Sequence, residues 1–137
     1  MQGDPRLELV ETVKAMYAAF NRRDVDAALA YMHPDVELRP AGTAARTGRA
    51  VYRGHDGIRA YFADVARVWP GGLEVSPASF RAVAGSVVAF GSVHGATAQQ
   101  HVDDEVVWVW RLRDGLVASG QMYSTRAGAV EAARARR

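Results

Sequence analysis

His94 and Asp104 stand on either side of Gln99, in stretches where apolar and polar residues alternate. If the chain reverses near Gln99, the two side chains meet across neighbouring strands on one face. A carboxylate beside an imidazole orients the ring and raises its basicity, which makes a general base that titrates near neutral pH. The same pair also reads as a core or rim histidine bonded to backbone, with Asp104 at the solvated end of its strand. Ser92 shares the face of His94 by alternation, and Glu105 points the other way. Asp103, Asp104 and Glu105 together fit a solvated acidic turn. No partner sits at ligand spacing from them, so no metal site is expected.

His33 precedes Pro34, His55 follows Gly54 at a helix start, and His101 falls at the expected hairpin, all surface or capping positions. Trp108 and Trp110, with Phe90, Met122, Tyr17, Phe20, Tyr61, Phe62 and Trp69, supply enough flat apolar area to bind a small hydrophobic ligand by burial and stacking. They equally suit a filled core. With no cysteine, thiolate and disulfide chemistry are excluded. No phosphate-binding glycine loop or nucleophile elbow is present, and nothing calls for a cofactor.

The elements that must position these residues come in two blocks. Asp4 and Pro5 open a first helix whose stripe is Leu7, Val10, Val13, Met16, Tyr17 and Phe20. Asp24 caps a second, carrying Val25, Ala28, Leu29 and Met32, which His33-Pro34 ends. Val36 to Arg39 alternates as a short strand, and residues 40–53 read as loop. A third helix spans Asp56 to Trp69, stopped by Pro70. From Leu73 the period changes to two, giving strands near 73–83, 87–98, 102–112 and 116–125, and residues 127–136 form a closing helix. Ala84-Gly85-Ser86 and Arg113-Asp114-Gly115 carry hairpin chemistry, so neighbours pair antiparallel. Helices first and a strand meander afterwards predict an α+β fold, with a ligand space between the layers.

At 137 residues, 49% of them hydrophobic and 23% charged, the chain suits one domain over 1–137. No apolar run reaches the length of a membrane helix, and the start lacks export-signal features, so no membrane partner and a cytoplasmic location are expected. A net charge of +2 with scattered arginines gives no nucleic-acid footprint. Arg134, Arg136 and Arg137 read as a solvated helix end.

This order of elements, with Tyr17-x-x-Phe20-Asn21-x-x-Asp24, His33-Pro34-Asp35-Val36, Gly54-x-x-Gly57-Ile58 and Trp110-x-x-Arg113-Asp114-Gly115, resembles the NTF2-like superfamily, specifically its SnoaL-like branch. The resemblance implies a cone: three N-terminal helices on a strongly curved, mainly antiparallel sheet, with a short C-terminal helix. It covers essentially the whole chain, and it spans enzymes and non-enzymes alike. Ketosteroid isomerase chemistry is not implied, because its tyrosine falls at Met16, its base near Pro40 and its oxyanion acid at Trp108. The limonene-type epoxide hydrolase set falls at Ser92, His94 and Met122, and the Tyr-x-Asp ending of cyclases becomes Tyr123-Ser124-Thr125.

Through the same resemblance the inward residues are Phe90, Ser92, His94 and Ala96, then Asp104, Val106, Trp108 and Trp110, then Gly120, Met122 and Ser124. Tyr52 and His55 would lie near the pocket mouth. The expectation is cofactor-independent isomerisation, cyclisation, dehydration or hydration of a small hydrophobic or polyketide-like molecule. His94 is then the base and Asp104 its orienter, with Ser92, Tyr52 or Tyr123 bonding an oxyanion. The alternative is a non-catalytic ligand-binding or dimerisation domain. The resemblance also implies a homodimer through the outer sheet surface, where Val107, Val109 and Tyr123 would sit.

Overall fold

The structure is a computed structural model, which describes residues 4–123 and 125–135. Ser124, expected on the inner face, and Arg136 and Arg137 lie outside the described residues.

Helix α1 (Pro5–Asn21) starts where the Asp4 carboxylate accepts the Arg6 backbone N–H at 2.9 Å, and it buries Val13, Met16, Tyr17 and Phe20. Asn21 ties its end to the sheet, donating to the Val75 carbonyl at 2.8 Å and accepting from the Val75 N–H at 3.0 Å. Asp24 caps α2 (Val25–Leu29), which stops earlier than expected. His33 and Pro34 lie inside strand β1 (Met32–Arg39). Pro34 is tolerated because the ladder of β1 is interrupted between Met32 and Glu37.

Residues 40–53 are not all loop. Ala41–Thr47 form helix α3, favoured by Ala41, Ala44 and Ala45 and closed by Gly48 at φ 75°, a left-handed cap that glycine adopts without strain. Tyr52–Arg53 form the short strand β2. Helix α4 (Gly54–Val68) buries Ile58, Tyr61 and Val65. Four helices therefore precede the meander, where three were expected.

The meander comprises β3 (Leu73–Val83), β4 (Ser86–Ala96), β5 (His101–Arg113) and β6 (Leu116–Tyr123), and α5 (Arg126–Arg134) follows it. The curved, unclosed sheet has the order β2-β1-β6-β5-β4-β3, antiparallel except for β1 with β6. Ala84-Gly85 and Asp114-Gly115 have positive φ at both residues, the two-residue turn that matches strand twist.

The β4–β5 connection changes the expected faces. Ala96 pairs with His101, so the loop has four residues, Thr97 to Gln100, and does not centre on Gln99. The Thr97 hydroxyl accepts from the Gln99 and Gln100 N–H groups at 3.2 and 3.1 Å and fixes that length. A half-residue shift of the turn moves every β4 side chain to the opposite face relative to β5. Val87, Ala89, Gly91, Val93 and Gly95 face inward with Val102, Asp104, Val106, Trp108 and Trp110. Phe90, Ser92 and His94 face outward, correcting their expected inward placement.

The outer face is also covered in part. Ala129 and Ala133 of α5 pack on Val88, Phe90, Val107 and Val109, forming a second apolar cluster against which Tyr123 lies. Val107 and Val109 are therefore buried within this chain and not free for a partner. Among the described residues no helix is long and apolar enough to cross a membrane.

Candidate functional site

The main core, between the helices and the inner sheet face, borders two neighbouring spaces. The deeper is a cavity of about 40 Å³ with almost wholly apolar walls, including Met16, Tyr17, Phe20, Phe62, Trp108 and Trp110. A water needs about 10–15 Å³ on this measure, so the cavity admits a few waters and no organic ligand. The outer space is a cleft of about 470 Å³, large enough for a small molecule. Tyr61, Val75 and Trp108 border both.

The indoles close the deep end. Trp108 and Trp110 stack at 4.9 Å, and the Trp110 N–H donates to the buried Tyr17 hydroxyl at 2.9 Å. Gly120 makes room for this pair, since a Cβ there would stand 2.2 Å from Trp110 Cζ3. Burial pushes the Tyr17 phenol far up, with the Trp110 bond only partly offsetting it, and burial also raises Tyr61. Neither phenol is therefore a source of negative charge near neutral pH.

The cleft carries the polar groups. Asp104 and Val106 of β5 face it, and α3 supplies Thr43 and Arg46. The Trp69 N–H donates to the Thr43 hydroxyl at 3.3 Å, and the Arg46 guanidinium lies 4.5 Å over the Trp69 ring. Sequence reasoning missed Thr43 and Arg46 because their segment read as loop. His101 and Gln100 also border the cleft, though they read only as turn residues.

The expected site residues divide among several places. Tyr17, Phe20 and Phe62 line only the deep cavity, Trp69, Met122 and Asp104 the cleft, and Tyr61 and Trp108 both. Tyr52 borders neither: its hydroxyl donates to the Asp64 carboxylate at 2.8 Å, which holds Asp64 below the usual carboxylate range. His55 Nε2 lies 3.1 Å from the Met32 carbonyl, a structural contact. Phe90 sits outside beneath the Arg126 guanidinium.

The expected dyad of His94 with Asp104 does not form. On the outer face, Ser92 Oγ lies 3.3 Å from His94 Nε2, and His94 Nδ1 bonds to Asp103 Oδ1. Hydroxyl, imidazole and carboxylate are thus joined in a row, but the side chains of His94 and Asp103 are 49% and 74% exposed. High dielectric weakens such a relay. Strand β4 is paired on both sides, so its backbone offers no ready oxyanion pocket.

Met16, Pro40 and Trp108, the positions of the missing isomerase groups, do face these inner spaces. Among the described residues no cluster of three His, Cys, Asp or Glu side chains is placed to hold a metal.

The architecture has solved counterparts. TerC, crystallised with polyporic acid, is 29% identical over 92% of this chain and 98% of its own, with a TM-score of 0.76. A protein assigned as a SnoaL-like polyketide cyclase from Jannaschia sp. CCS1 is 20% identical over 100% and 99%, with a TM-score of 0.70. An NTF2-like protein from Burkholderia xenovorans LB400 is 24% identical over 93% and 97%, with a TM-score of 0.68. The latter two likenesses concern the fold, and no curated protein matches the chain. The sequence model of the SnoaL-like domain matches residues 13–120, most of the chain, which therefore belongs to the SnoaL-like family within the NTF2-like superfamily.

Proposed function

We propose that this SnoaL-like protein binds a small, flat, mainly hydrophobic molecule in the outer cleft and moves a proton on it without a cofactor. The carrying observation is that Asp104 faces a space of about 470 Å³ bordered by Tyr61, Trp69 and Trp108. Aromatic walls hold the ligand body by burial, and a carboxylate beside it accepts a proton, the elementary step of isomerisation, cyclisation, dehydration or hydration. Asp104 replaces His94 as the base, because His94 faces the other side of the sheet. TerC, crystallised with polyporic acid, supports an organic-molecule role for this architecture.

A thermal-shift screen of steroids, polyketides, terpenoid epoxides and aromatic acids tests the binding step. Hits should stabilise the wild type and lose most of that effect in Trp69→Ala. Equal stabilisation of the variant rejects the cleft. For each hit, NMR in deuterated water should show exchange of a ligand C–H in the wild type and none in Asp104→Asn.

A second reading is non-catalytic binding, favoured by the apolar replacements Met16, Pro40 and Trp108. Stabilisation of both wild type and Asp104→Asn, with deuterium entering the ligand in neither, selects it.

A further inference from the structure

Among the described residues Arg46 is the only arginine or lysine bordering the cleft. One guanidinium nitrogen donates to the Gly42 carbonyl at 3.1 Å, and none of the ion pairs among the described residues involves Arg46. Its plane is supported by Trp69, which Thr43 of the same helix bonds through the indole N–H. A guanidinium has five donors in a rigid fork, and stacking on an indole leaves the edge donors available. The cation is thus pre-oriented at a cleft wall with donor capacity unused.

The β5 wall has the opposite sign. The Asp104 carboxylate faces the cleft there, whereas the Asp103 side chain bonds His94 on the outer face of the sheet. An anionic group would be repelled from that wall and drawn to α3, so the two walls impose an orientation as well as a charge preference.

We infer that the cleft selects a flat aromatic anion, a carboxylate or phenolate, whose charge is held by Arg46 while its apolar body lies between Trp69 and Trp108 and its far end approaches Asp104. This rests on the cleft reading above and narrows its ligand class. Arg46 is a binding and positioning residue here, with the proton-transfer role left to Asp104.

The test compares 2-naphthoate with 2-naphthamide, a neutral probe of nearly the same shape, by calorimetry on the full chain. For the wild type, naphthoate should bind about 10-fold more tightly, the low end for a charge-assisted contact because Arg46 is exposed. Arg46→Gln should abolish that preference and leave naphthamide affinity unchanged, and Arg46→Lys should keep part of it. Raising salt to 0.5 M should weaken only naphthoate. Equal affinity of the wild type for both probes overturns the inference while the cleft stands. Parallel loss of both in a folded Arg46→Gln, checked by circular dichroism, also overturns it, since Arg46 would then act through stacking alone. If neither probe binds, the inference falls, and the Trp69→Ala comparison with panel hits decides the cleft reading separately.

Discussion

Gly95→Ala should destabilise the protein, although replacing a strand glycine usually has the opposite effect. Gly95 lies on the inner face of β4, where an added Cβ would stand 2.8 Å from Trp69 Cε3 and 2.9 Å from Leu73 Cδ1. Such approaches force a shift. Leu73 can rotate, whereas Trp69 is held between the Thr43 hydroxyl and the Arg46 guanidinium. Overpacking a close-packed site costs about 1–3 kcal/mol, and the backbone preference for alanine over glycine returns roughly 0.5–1 kcal/mol. The expected net loss is about 1–2 kcal/mol, or roughly 3–8 °C in Tm for a chain of this size. Urea unfolding gives the free energy, and near-UV circular dichroism reports displacement of Trp69. In the opposite register Gly95 would point outward, and Gly95→Ala would be neutral or stabilising. A rise in stability with an unchanged aromatic spectrum would refute the assigned face of β4.

Three further outcomes follow from particular contacts. Tyr17→Phe removes the acceptor of the buried Trp110 N–H, and urea melts should show a loss of about 1–3 kcal/mol. Asn21→Ala breaks both hydrogen bonds to Val75 and should cost a similar amount, with hydrogen exchange accelerating near Val75. Asp64 has a lowered pKa, chiefly from the Tyr52 hydroxyl, so its stabilisation is present above the ordinary value of 3.8 and lost as pH falls through the lower folded value. Tyr52→Phe should therefore cost about 1–2 kcal/mol from pH 5 to 7, and its difference from wild type should narrow below pH 4 in acid titrations.

The strand meander was legible because period two and glycine-containing turns are local signals: 73–83 was placed at its observed bounds, and the Ala84-Gly85 and Asp114-Gly115 turns set two registers. The β4 face was hidden for a tertiary reason. Val87, Val88, Ala89 and Phe90 are apolar on both sides because α5 covers the outer surface, so alternation there carries no facing information. The turn length depends on the Thr97 hydroxyl, a weaker signal than a glycine pair. Helix α3 was missed because seven residues show little periodicity and Pro40, Gly42 and Gly48 read as breakers. Arg46 and Thr43 were missed with it, whereas Asp104 was placed correctly relative to Trp108 by strand alternation alone.

Trp108 and Asp104 share one face of β5 four residues apart, or roughly 13 Å along an extended strand. An indole and not an acid occupies the deep position, so the interior avoids the large cost of an unpaired buried charge. The polar groups lie where the cone opens, and water reaches Asp104 and Arg46 in the free protein. Under the proposed function, a ligand displaces that water before Asp104 acts on it, and burial against Trp69, Tyr61 and Trp108 supplies the free energy for doing so. This couples affinity to chemistry. Trimming the apolar body of a substrate should reduce turnover as well as binding, because less of the cleft is then closed to solvent.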